Sequence, residues 1–148
     1  MNAVSVISLI HQPIGKKSEK EIKNTGLKIL KILKKNNVAV EIYLADAKKM
    51  RFLNKKFRNK DKVTNILSFE EPRNFILPPS KVRKIGEIYL KTPIPPPDFA
   101  WTKSRRAGND QIPSLLVHGL LHLFGYTHQK KNDTITMEKK EKFLISNL

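Results

Sequence analysis

Apolar and polar positions alternate or recur along the chain in a way that predicts most of its elements. Val4 and Val6 lead into the apolar run Ile7–Ile10, predicting a first strand ended by Pro13 and Gly15. Ser18 and Glu21 have capping-box spacing. They predict a helix from Ser18 to about Lys35, with Ile22, Gly26, Ile29, Leu30 and Leu33 on one face and Asn36-Asn37 as its break. Val38, Val40, Ile42 and Leu44 alternate, predicting a second strand. Asp46 is a good N-cap for a helix whose apolar face is Met50, Leu53 and Phe57.

Ile66–Phe69 predicts a third strand. Ile85, Ile88 and Leu90 predict a fourth, after a loop containing Pro72, Pro78 and Pro79. Pro93, Pro95, Pro96 and Pro97 forbid regular helix in the segment 91–113. That segment also carries Trp101, Arg105 and Arg106, an aromatic and two cations suited to stacking on a base and pairing with phosphate, or to anchoring the loop. Pro113 suits the first turn of a helix running to Phe124, with Gly125 as a left-handed stop. A last helix is expected over about Ile135–Ile145. The order strand, helix, strand, helix, strand, strand, helix, helix predicts a mixed α/β or α+β layer fold. No repeat or low-complexity stretch divides the 148 residues, so one domain over 1–148 is expected.

Composition narrows the function. With no cysteine, a disulfide scaffold, a thiolate zinc site, an iron–sulfur cluster and a cysteine nucleophile are excluded. No stretch is long and apolar enough for a spanning helix, and no basic n-region precedes the first apolar run, so neither a membrane span nor a secretory signal is expected. The net charge is +16, and its excess is concentrated in the first 60 residues, which hold 15 basic against 4 acidic side chains. Such a field attracts a polyanion, RNA or DNA first. An anionic membrane is the weaker reading, because no strongly amphipathic basic helix with Trp or Phe anchors is visible.

Three of the four histidines lie within His-Gly-Leu-Leu-His-Leu-Phe-Gly-Tyr-Thr-His, residues 118–128. His118 and His122 are four apart and project from one helix face. Gly125 lets the chain leave the helix, and Tyr126-Thr127 can return His128 to the same point. Three neutral imidazoles converging in this way make a catalytic-type Zn²⁺ site with an open fourth position, and other divalent metals can also bind such a set. The remaining His11 has no such support and is read as a strand-end residue. The metzincin peptidases use the same spacing but need Glu directly after the first His as general base. Gly119 stands there instead, which argues against a protease.

These residues resemble the H-G-x-L-H-L-x-G-Y-D-H signature of the YbeY family of bacterial metal-dependent endoribonucleases. The block Leu53–Phe69 is similar to that family's L-N-x-x-[YF]-R-x-K-D-x-P-T-D-V-L-S-F. Ile85-Gly86-Glu87-Ile88 is similar to its L-G-D-I strand, and Met137-Glu138 to its M-E on the last helix. The resemblance implies a single α/β domain with a central mixed sheet of the four predicted strands and a metal site at a helix end. It implies one Zn²⁺ held by His118, His122 and His128, with Arg58 and His118 as catalytic residues and no small organic cofactor. It also implies cleavage of single-stranded RNA in 3′-end maturation of small-subunit rRNA and in ribosome quality control, in the cytoplasm. The implied partners are the small ribosomal subunit and its assembly factors, a GTPase among them.

Arg58 has a physical rationale of its own. A guanidinium beside a metal-held phosphodiester pairs with its oxygens and stabilises developing charge. Three positions depart from the pattern: Thr127 and Asn65 replace aspartates, and Val63 replaces a proline. The lost carboxylates remove possible partners for ligand imidazoles. Glu87 and Glu138 are the remaining carboxylate candidates. Asn54, Asp61, Thr64 and Ser68 are expected to shape the backbone between helix and strand. The rival functions are a metal-stabilised RNA- or ribosome-binding assembly factor with little catalysis and, less favoured, a metalloprotease.

Overall fold

A computed structural model describes residues 1–10, 16–72, 82–91 and 112–148. Among them are strands β1 (Ala3–Ser8), β2 (Val38–Ala45), β3 (Ile66–Glu70) and β4 (Arg83–Lys91), and helices α1 (Lys16–Ile32), α2 (Ala47–Arg58), α3 (Ile112–Leu123) and α4 (Lys131–Ser146). The strands form one mixed sheet in the order β1-β2-β4-β3. β1, β2 and β4 run parallel, and β3 is antiparallel to β4, with Ser68 opposite Ile88. The expected α+β class and four-stranded mixed sheet are therefore observed.

Side-chain alternation decides which face each strand buries. Val40, Ile42 and Leu44 of β2, with Ile88 and Leu90 of β4, pack into the main core beneath α1, α3 and α4, which contribute Ile22, Ile29, Leu116, Leu120 and Met137. The opposite face meets α2 in a smaller cluster of Ala45, Met50, Leu53 and Leu67, flanked by Phe69 and Tyr89. Beside it the same face carries a charged group, where Lys84 lies 3.2 Å from Glu41 and 3.0 Å from Glu87. Tyr43 and Tyr89 stack next to it, ring centroids 4.9 Å apart.

Several local expectations need correction. α1 is already helical at Lys16, so Ser18 lies in its first turn and is buried rather than capping it. The helix also stops at Ile32, earlier than Lys35. Lys34 takes a left-handed φ of 57°, its N–H donates to Lys31 and that of Lys35 donates to Leu30, a Schellman closure built without glycine. α4 begins at Lys131, four residues before Ile135. Asp46 does cap α2, accepting from the Lys49 N–H at 2.7 Å. Phe57, expected on that helix's buried face, is 53% exposed, as is Phe52. α2 is thus a basic helix with exposed Phe side chains, contrary to the expectation that none exists. His11, the segment 92–111 with Trp101, Arg105 and Arg106, and Pro78-Pro79 lie outside the described residues.

Candidate metal centre

The end of α3 builds the site. Gly125 has φ +92°, a conformation that side-chain-bearing residues rarely adopt. Its N–H donates to His122 and the Tyr126 N–H donates to Leu121, closing the helix in a Schellman turn. This turn brings the Tyr126 carbonyl back over the helix, where it lies 2.8 Å from His122 Nδ1. A carbonyl can only accept, so Nδ1 carries the proton and the lone pair of His122 is on Nε2. His128, two residues beyond Tyr126, then stacks on His118 with ring centroids 5.1 Å apart.

His118 and His122 meet with their Nε2 atoms 2.9 Å apart. One ring nitrogen from each of His118, His122 and His128 falls within a set whose members all lie within 4.8 Å of one another. Burial first, and neighbouring His128, hold His118 below the usual imidazole range. Burial first, then His118, does the same to His122, against the pull of the Tyr126 carbonyl. The rings are thereby kept neutral, the form that ligates a metal. Two neutral Nε2 atoms this close share one proton or one cation. The donor set fits a three-nitrogen metal site.

A carboxylate is present that the sequence reading missed. Glu141 Oε1 of α4 lies 3.6 Å from His118 Nδ1. Its carboxyl is pushed up, chiefly by burial. The signal was there: Met137, Glu141 and Leu144 share one helical stripe, and Met137 and Leu144 are fully buried. An acid within a buried stripe has to face something. The two carboxylates singled out from sequence serve elsewhere. Glu87 pairs with Lys84 on the far face of the sheet, and Glu138 is exposed. Thr127, which stands where the family pattern has Asp, places its hydroxyl 3.4 Å from Asp133.

Arg58 reaches the same place from the other side. An open cleft of about 790 Å³ is lined by Arg58, Ser68, Phe69 and the three histidines. One guanidinium N–H of Arg58 donates to the Ser68 carbonyl at 2.7 Å, and its Cζ lies 5.2 Å from the Phe69 ring centroid. The residues between α2 and β3 hold this approach in place, as expected. Asn54 is buried and donates to the Lys62 carbonyl, Asp61 pairs with Arg51, and Thr64 donates to the Ile66 carbonyl. Ser68 donates to the carbonyl of Gly119 at 3.3 Å, tying β3 to α3.

Gly119 explains the missing glutamate. A Cβ there would lie 2.9 Å from Ile66 Cδ1 and 3.0 Å from Ser68 Oγ. The position faces the sheet, so a side chain there would push against the ends of Ile66 and Ser68 and point at β3 rather than into the cleft.

The family model described as Endoribonuclease YbeY matches residues 10–148. A relative from Sulfurihydrogenibium sp. (strain YO3AOP1), named Endoribonuclease YbeY, is 34% identical over 119 residues, covering 78% of this chain and 73% of its own. Relatives of the same name from Persephonella marina and from a Wolbachia strain of Drosophila simulans are 33% and 38% identical, covering 82% and 84% of this chain and 78% of each of theirs. In fold, the chain is similar to the solution structure of TM1509 from Thermotoga maritima, with a TM-score of 0.53 at 23% identity over 96% of this chain and 86% of that one. By the span of the family match and the identity to these relatives, the chain belongs to the endoribonuclease YbeY family.

Proposed function

We propose that this protein is a zinc-dependent endoribonuclease that cuts single-stranded RNA, acting in 3′-end maturation of small-subunit rRNA and in ribosome quality control. The carrying observation is the convergence of three imidazoles and Arg58 on one cleft in a chain of net charge +16. The family's relatives bear the name of an endoribonuclease, which supports the reaction class. The reading takes residues 1–148 as one domain, working in the cytoplasm with the small ribosomal subunit and its assembly factors.

His118, His122 and His128 would hold the metal. A bound zinc supplies Lewis acidity there, polarising a phosphoryl oxygen and making water more acidic. Arg58 binds the scissile phosphate: its anchor on Ser68 fixes the guanidinium plane, and its further N–H groups pair with phosphate oxygens and stabilise charge as it develops. His118 would serve the reaction as one of these ligands, with its ring held against Glu141. The Tyr126 carbonyl fixes the tautomer and plane of His122. Gly119 argues against a peptidase reading, because the family of proteases with this spacing needs a base at that position.

The test is metal content and cleavage together. Wild type should purify with about one zinc per chain by elemental analysis, and His128→Ala with little. A single-stranded RNA should be cut only by the zinc-loaded wild type. Zinc bound in full with tight RNA binding and no cleavage would favour the assembly-factor reading, to which the loss of aspartate at 65 and 127 lends weight.

A further inference from the structure

The outer face of α2 is anomalous. Its own apolar stripe, Met50 and Leu53, is already buried against the sheet. Yet Phe52 and Phe57 are each 53% exposed on the rest of its surface, where burial would ordinarily hide a Phe ring. Lysines accompany the rings. Lys49 and Lys56 lie 5.3 and 5.7 Å from the Phe52 centroid, and Lys56 lies 5.3 Å from that of Phe57. The helix carries six Lys and Arg and no acid. Asp61 neutralises only Arg51 and Lys55 in part.

This face is continuous with the metal centre. Phe57 meets Phe69 edge to face at 5.3 Å, and Phe69 lines the cleft beneath the Arg58 guanidinium. Rings and cations therefore form one row from Phe52 through Lys56, Phe57 and Phe69 to Arg58 and the histidines. We propose that this row is a binding track for single-stranded RNA, with unpaired bases stacking on Phe52 and Phe57 and lysines holding the phosphates, delivering the strand to the cleft. The proposal rests on the endoribonuclease reading and adds to it the site that selects unpaired RNA.

The chemistry chooses the occupant. Every base has a π-face, so aromatic stacking accepts any sequence but requires a base that is out of its duplex. The lysines match the phosphate charge, and the row ends at the open cleft with an arginine in it. An anionic membrane is also drawn to a basic helix with Phe side chains. Such helices insert a continuous apolar face, however, and that of α2 is spent on the core.

The test measures binding of a fluorescein-labelled single-stranded RNA decamer, its blunt duplex and phosphatidylglycerol–phosphatidylcholine vesicles to the full chain. Phe52→Ala should weaken decamer binding roughly 5- to 150-fold, the range that loss of one stacked base gives. Phe52→Trp should restore it, and duplex binding should change less than about twofold. Phe57→Leu keeps an apolar contact with Phe69 but removes the π-face, and should weaken the decamer alike while the fold, checked by circular dichroism, is unchanged. The proposal is overturned if Phe52→Ala binds the decamer as wild type does, if decamer and duplex lose equally, or if only vesicle binding falls. His122→Ala separates this from the reading beneath it: decamer binding should persist there while cleavage is lost. Cleavage that survives in His122→Ala would contradict the assignment of the reaction to the histidines without touching the binding result.

Discussion

The Nδ1–H of His122 donates to the carbonyl of Tyr126 at 2.8 Å, so the turn that ends α3 also sets the tautomer of a ring in the candidate metal centre. The link between them is Gly125, whose φ of +92° closes the helix. Gly125→Val should therefore act on both. The strained turn is expected to cost about 1–2 kcal/mol of stability. Displacement of the Tyr126 carbonyl should lower zinc affinity about 10- to 100-fold, read by competition with a chromophoric chelator.

Glu141 should behave as the carboxylate that orients His118. Glu141→Ala is expected to weaken zinc binding by about 10- to 100-fold. It should also change the nitrogen-15 shift of His118 Nδ1 in NMR of the imidazoles. Glu87→Ala, on the far face of the sheet, should leave zinc affinity as in wild type. Equal effects from the two substitutions would remove Glu141 from the site.

Gly119 sets the distance between α3 and the sheet. Gly119→Ala places a methyl 2.9 Å from Ile66 and 3.2 Å from Ile88. The overpacking should cost about 1–3 kcal/mol in urea denaturation. Gly119→Glu should fail to fold rather than gain peptidase activity.

The metal-free protein should lose stability in mild acid. Burial holds His118 and His122 below the ordinary imidazole value, so on acidification the unfolded chain takes up protons before the folded one does. The contribution is whole above about pH 6.5 and declines as pH falls from there toward the lower folded values. Urea midpoints between pH 8 and 5 should show this slope, and His122→Asn should flatten it. Zinc should move the loss to lower pH, because a ligated imidazole resists protonation further.

The site was more legible in the sequence than its surroundings. His118 and His122 four apart and Gly125 beyond them dictate a helix face and a stop, both local events, and the structure has them. The strand pattern likewise gave β2 and β4, whose buried positions alternate. What the sequence reading missed depends on tertiary contacts. Lys34 ends α1 in a left-handed conformation that its residue type does not announce. Phe57 has the spacing of a buried residue on α2, but β3 takes only its edge, through Phe69, and leaves half of it in solvent. Glu141 was overlooked because the family pattern drew attention to Glu138. Only the packing of α4 on α3 shows which of the two acids faces His118.

The most direct measurement is cleavage of a labelled precursor of the small-subunit rRNA 3′ end by zinc-loaded wild type, His122→Ala and Arg58→Ala. The account predicts cleavage by wild type, and its loss by at least about 100-fold in both variants, the scale on which removing a charge-stabilising donor acts. RNA binding should persist in His122→Ala. Equal cleavage by all three proteins would contradict it.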